Sequence, residues 1–205
     1  MRRQVIISIL LLLLPCLALP AREPGTASFR FGIEWGGCST LYTAMHQNYT
    51  VEDGYRVDEN HAGGTFIGNA QMLANVGVNI TPHIALAAYS GLTGISKDFR
   101  VVPLTLRGTY FFKDMHCDGM LCYLDGGVGL KCKNLSDICT LLSAGTGYHL
   151  ALSRAVSLEF LACVRLTLDS PDIMDPDTGK AIPAENIRVN NARYGALNFS
   201  VALSF

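Results

Sequence analysis

From residue 28 onward, apolar side chains recur at every second position, in runs longer than ordinary soluble strands. Eight such segments stand out, over 28–37, 69–80, 83–94, 101–112, 120–132, 138–150, 155–168 and 193–205. Each has about ten residues or more, the length that a tilted strand needs to cross a bilayer. In the first, Phe29, Phe31, Ile33 and Trp35 oppose Arg30, Gly32, Glu34 and Gly36. In the seventh, Val156, Leu158, Phe160, Val164 and Leu166 oppose Glu159, Arg165 and Thr167. In the last, Leu197, Phe199, Val201, Leu203 and Phe205 oppose Tyr194, Asn198, Ser200 and Ser204.

A soluble sandwich also alternates, so the polar face has to decide. A solvated face would be rich in Lys and Glu. Here it is mostly Gly, Ala, Ser, Thr and Asn, and charged residues are only 16% of the chain against about 25% in soluble domains. This composition suits a cramped lumen. The expected fold is therefore all-β: an eight-stranded antiparallel up-and-down transmembrane β-barrel. Arg30, Arg107, Lys131 and Arg165 would share its interior with Glu34, Asp125 and Glu159. Opposite charges enclosed there should pair, because an unpaired buried charge is costly. Gly127, Gly129, Gly145 and Gly147 would leave room for Arg107 and Arg165. Pro103 cannot donate to a ladder, so the fourth strand either starts at Leu104 or carries a bulge.

Loop lengths set the orientation. Stretches 38–68 and 169–192 read as long loops and fall on one side, and the other side receives 81–82, 113–119 and 151–154. Phe29, Tyr110, Phe112, Tyr148 and Phe205 then gather as an outward aromatic girdle at the short-turn end. Residues 1–21 read as a cleaved signal peptide. Met1-Arg2-Arg3 is a positive start, Val5–Leu14 an apolar run, and Ala18 and Ala21 are small residues for cleavage. The domain would be 22–205. Loss of Arg2 and Arg3 takes the formal charge from −1 to −3, which argues against a nucleic-acid binder.

Of the seven cysteines, Cys38, Cys117, Cys122, Cys132, Cys139 and Cys163 follow residue 21, and none forms a CxxC pair. Cys117 with Cys122, or Cys132 with Cys139, could close a hairpin; equally, all could be free and act as small apolar residues.

The ending Asn198-Phe-Ser-Val-Ala-Leu-Ser-Phe205 resembles the terminal signature of bacterial outer-membrane barrels. The whole mature chain is similar to the small eight-stranded class that includes the OmpA membrane domain and OmpX. The stretch Val102–Phe112 resembles barrels of Bacteroidetes. The resemblance implies an outer-membrane location, a short-turn end facing the periplasm, and a Phe205 read by the barrel-assembly machinery. The high cysteine count departs from the family pattern.

The leading functional expectation is a barrel with a largely closed lumen and a structural or surface-interaction role. Its partners would be outer-membrane lipid and an extracellular partner met through 38–68 and 169–192. The first of these stretches carries Tyr42, His46, Tyr49, Tyr55 and His61, the second a run of acidic residues. The alternatives are a narrow ion or small-solute channel, a lipid-modifying enzyme, or a soluble lipocalin-like binder. No GxSxG motif is present, and His149 reads as an interior hydrogen-bonding residue, so no enzyme is expected. Asp175-Pro-Asp-Thr-Gly179 lacks the full EF-hand pattern, so no metal or cofactor is expected.

Overall fold

The computed structural model describes residues 28–51, 54–97, 99–133, 137–153, 156–175 and 178–205. The expected signal peptide, 1–21, lies outside the described residues. Eight strands follow one another: β1 (Ser28–Thr50), β2 (Arg56–Thr81), β3 (Ile84–Gly94), β4 (Arg100–Phe111), β5 (Gly119–Lys131), β6 (Ile138–Ala151), β7 (Ser157–Asp169) and β8 (Ile187–Ser204). Every neighbouring pair is antiparallel, and β8 returns to β1, closing the barrel. Phe31 and Phe205 exchange backbone hydrogen bonds of 3.1 and 2.8 Å, so the described chain starts and finishes at one end. That end also holds the connections 82–83, 112–118 and 152–156 and is called the turn end. The opposite, loop end holds 51–55, 95–99, 132–137 and 170–186.

Period-two alternation becomes a physical separation of faces. Phe31, Trp35, Met72, Leu106, Leu124, Val164 and Phe199 lie exposed on the outer wall. Arg30, Glu34, Arg107, Asp125, Glu159 and Arg165 are all at most 8% exposed and lie inside. Close approach between strands sets some inward residues. A Cβ on Gly36 would lie 2.1 Å from the Phe199 carbonyl oxygen, so only glycine lets β1 close tightly on β8 here.

Two expectations are corrected at the loop end. Residues 38–68 are not a coil: β1 and β2 stay paired as far as Thr50 and Arg56, with one register shift between Thr40 and Tyr42. β8 likewise starts at Ile187, not near 193, and pairs β1 up to Tyr49. β2 meets β3 only from Gln71, and β8 meets β7 only from Ala192. A three-stranded sheet, β2–β1–β8, therefore rises clear of the ring. Residues 56–64 of β2 are exposed on nearly every position, so no burial drives a two-residue period there. The second long loop shrinks to 170–186. Its Ile173 and Ile182 pack with Tyr49 and Val51 in a small separate core, flanked by Val57 and Ile187.

Pro103 fits neither expected arrangement. β4 starts at Arg100, and Pro103 lies in unbroken register opposite Gly129 of β5. On the other side the ladder pairs Ser90 with Leu104 and Thr93 with Val101, in one continuous register, while the two pairs between are missing. The proline sits in an interruption of the β3–β4 seam. Gly91, opposite, instead presses so close to β2 that a Cβ would meet the Met72 carbonyl oxygen at 2.1 Å.

Candidate functional site

The interior is filled in three layers. At the turn end, Phe111, Leu121, Leu161 and Ala202 form an apolar layer with Tyr123 and Cys163. At the loop end, Ile95, Val101, Leu141 and Tyr194 form another, with Met45 and Phe99 packed against it. Arg107, Arg165 and their partners occupy the level between, while Arg30, Glu159 and His149 lie at the level of the turn-end layer. The layering follows from which residues share each inward parity at each height; alternation alone carries no such depth information.

Arg107 is the hub of the middle layer. Its Nη1 donates to Glu34 Oε2 at 2.8 Å; its Nη2 and Nε donate to Asp125 Oδ2 at 2.8 and 3.1 Å. The guanidinium carbon lies 4.1 Å from the Tyr89 ring centre and 4.2 Å from that of Tyr123. Two carboxylates in the plane and an aromatic ring nearby on two sides use most of what a guanidinium offers. Glu34 Oε1 also accepts from Gln71 Nε2 (3.0 Å) and Ser200 Oγ (2.7 Å). Gln71 Oε1 in turn accepts from Arg165 Nη2 at 3.0 Å, and Arg165 Nη1 donates to Thr93 Oγ1 at 2.9 Å. With its amide oxygen turned to the guanidinium, Asn198 accepts from Arg165 Nη2 at 2.8 Å and Nε at 3.1 Å.

Nearer the turn end, Arg30 pairs with Glu159 and donates to Ser204 Oγ at 2.9 Å. His149 Nδ1 faces Glu159 Oε1 at 3.2 Å, and its Nε2 lies 2.7 Å from the Met115 carbonyl oxygen. Three buried arginines thus face three buried carboxylates, and each carboxylate is held by an arginine.

Lys131 is not in this network. The structure puts it at the loop-end rim, 2.9 Å from Asp169 and 5.5 Å from the Phe99 ring centre. It is the last residue of β5, so its inward parity delivers it to the mouth. Asp169, at the start of the expected loop 169–192, is instead the last residue of β7 and faces inward beside it. The glycine expectation also changes. A Cβ on Gly145 would lie 2.6 Å from Tyr123 Cζ, one on Gly147 2.7 Å from Leu161 Cδ2, and one on Gly129 2.8 Å from Cys139 Sγ. These glycines make room for Tyr123, Leu161 and Cys139, not for the arginines. Tyr89, Tyr123, Gln71 and Thr93 were missed as partners. Tyr89 carried one signal, as a single large ring on a parity otherwise filled by Ala85 and Ala87.

The aromatic residues named for a girdle lie near the turn end. Tyr110, Phe112, Tyr148 and Phe205 are exposed, and Phe29 is half-buried. Phe205 stacks on Phe31 at 5.2 Å, and Tyr110 meets Phe112 edge-on at 5.5 Å. No cysteine pair closes a hairpin. Cys38, Cys139 and Cys163 are buried, Cys117 and Cys132 exposed, and all six described cysteines are free. Asp175 accepts from the Thr178 backbone N–H at 3.0 Å through its carboxylate and from the Gly179 N–H at 2.8 Å through its carbonyl oxygen. Among the described residues no cluster of three metal-ligating side chains occurs; Asp177 is outside them.

No family model matches this chain, and no curated protein matches it. Among solved structures, neisserial surface protein A (NspA) is 16% identical, with a TM-score of 0.42, over 87% of this chain and 99% of its own. The outer membrane protease OmpT from Escherichia coli is 9% identical, with a TM-score of 0.44, over 92% and 99%.

Proposed function

We propose that this chain is an integral outer-membrane barrel with a closed lumen, which acts through the sheet and loop at its outer end on a partner outside the cell. One observation carries the reading: the barrel is inside-out relative to a soluble protein. Leu124 is 69% and Phe199 63% exposed on the wall, while Arg107 and Glu34 are 3% and 1% exposed within it. Only a hydrocarbon solvent makes that arrangement favourable.

Apolar layers above and below the Arg107 ion pairs support a plugged interior over a channel. Glu34, Asp125 and Glu159 are each engaged by an arginine and Asp169 by Lys131, which supports a role without a reaction. The outer sheet and the small core under it give a firm platform, which carries Tyr42, Tyr55 and a Phe66 that is 79% exposed. Export with loss of residues 1–21 belongs to the same reading. So do kinship with OmpA- and OmpX-like barrels of the Bacteroidetes type and recognition of Phe205 by the assembly machinery, on the strength of the Asn198–Phe205 pattern.

Two measurements test it. Refolded protein in planar bilayers should give no steady open current, and large open currents in the wild type would overturn the plugged lumen. Expressed with its N-terminus intact, the chain should be recovered in the outer membrane; recovery in soluble periplasm would overturn the location.

A further inference from the structure

We propose that the outer wall of β6, β7 and β8 is a binding track for a phosphate-bearing lipid, with Arg193 at its head. The inference rests on the outer-membrane reading and adds a ligand to it. Arg193 lies on the outward parity of β8, opposite Leu168 of β7 on one side and Ala44 of β1 on the other. It is exposed, and among the described residues no carboxylate lies within ion-pair distance of it. Asp169 is close in sequence register but faces inward to Lys131.

A cleft of about 600 Å³ opens at this point, with Ile138, Thr140, Leu166, Leu168 and Arg193 in its lining, together with Asp169, whose carboxylate is held by Lys131. Its form follows from the strand pairing. Thr140, Leu168 and Arg193 make one rung across three strands, and Leu142, Leu166 and Gly195 the next one inward. Gly195 has no side chain to fill the wall directly below the guanidinium. The cleft is therefore aliphatic on one side and polar on the other, where Arg193 is the cation and the Asp169 carboxylate is already taken by Lys131; an aliphatic wall beside a guanidinium suits an anionic amphiphile.

A second groove, of about 480 Å³, lies lower on the same wall. Trp35, Phe160, Phe199 and Val201 border it, with the smaller Thr146 and Ala162 between them. Phe199 is six residues beyond Arg193 on β8, about 20 Å along the strand. A barrel tilt of about 40° reduces that to about 15 Å of depth, half of a hydrocarbon core of about 30 Å. The head cleft and the tail groove are thus one leaflet apart. A lipid-facing guanidinium near the interface calls for an anion, and phosphate oxygens can take two of its N–H groups at once.

Trp35 is the chain's single tryptophan and borders the tail groove, so it reports occupancy directly. The protein would be reconstituted in phosphatidylcholine bilayers, with either phosphatidic acid or phosphatidylcholine carrying brominated acyl chains as quencher. Brominated phosphatidic acid should quench Trp35 at about tenfold lower mole fraction, about 1.4 kcal/mol of preference. Arg193→Gln should abolish the preference while leaving the heat-shifted gel mobility of the folded barrel unchanged, and Arg193→Lys should keep part of it. Equal quenching by the two lipids, or an undiminished preference in Arg193→Gln, would overturn the track. Loss of the preference on adding inorganic phosphate would make the site one for a free anion and also overturn it. If no brominated lipid quenches Trp35 at all, the chain does not insert, and the outer-membrane reading fails with it.

Discussion

Arg107 of β4 reaches across the barrel to Glu34 of β1, with 2.8 Å between Nη1 and Oε2. The two strands are not neighbours in the ring, so this contact ties opposite walls together. Asp125, beside Arg107 on β5, takes the rest of the guanidinium. The middle layer thus works as a cross-brace as well as a plug.

The brace should fail asymmetrically. Arg107→Leu leaves Glu34 and Asp125 buried without their cation, and should cost about 3–5 kcal/mol. Removing the carboxylates as well, in Arg107→Leu/Glu34→Gln/Asp125→Asn, should recover much of that loss. Denaturant unfolding in detergent micelles measures both; a triple variant no more stable than the single one would contradict the pairing.

The closing seam depends on Gly36. Its missing Cβ leaves space for the Phe199 carbonyl oxygen and for Ser200 Cα, 2.1 and 2.6 Å from where the Cβ would stand. These are backbone atoms and cannot rotate away. Gly36→Ala should therefore destabilise the barrel by about 1–3 kcal/mol or more, seen as a lower midpoint in the same unfolding assay. At Gly108, where a Cβ meets nothing within 4 Å, alanine should be tolerated sterically.

Thiol labelling reads the two faces of the wall. Cys117 and Cys132 are exposed and should react quickly with a polar maleimide in the folded protein. Cys38, Cys139 and Cys163 point into the packed interior and should react only after unfolding. Mass spectrometry of the time course checks this. Rapid labelling of Cys163 in the folded state would mean that the lumen admits solvent.

The small outer core should hold the projecting sheet together. Tyr49 is 5% exposed against Val51, Ile173 and Ile182. Tyr49→Ala should cost that core about 3–5 kcal/mol, as truncation of a buried ring does, without unfolding the ring below. Limited trypsin digestion should then cut at Arg56 far faster than in the wild type, while the barrel fragment keeps its folded mobility on gels.

Much of the architecture was legible because each strand solves the same problem twice per turn of its pleat. The hydrocarbon selects Phe31, Ile33 and Trp35 on one face, and confinement selects Gly32 and Glu34 on the other. The residues of the ion network could be named from parity alone; their partners could not. Parity says that Lys131 faces inward, but its height at the end of β5 sends it to Asp169 at the mouth, outside the network. The outer sheet was illegible for a different reason. Around Asn60 and Gly63 water lies on both faces, so pairing leaves no periodic trace. Proline is a weaker strand breaker than its missing N–H suggests: at Pro103 the chain stays extended and simply goes without two pairs.

That gap at Pro103 gives the ring a direction of weakness. A cylinder whose seams were all alike would yield anywhere; this one has a fastening with two teeth missing, between β3 and β4. Thermal breathing, and any sideways parting of the wall, should begin along that line. On its outer side the line is flanked by Leu92 and Leu104, so what first enters the breach is lipid, not water.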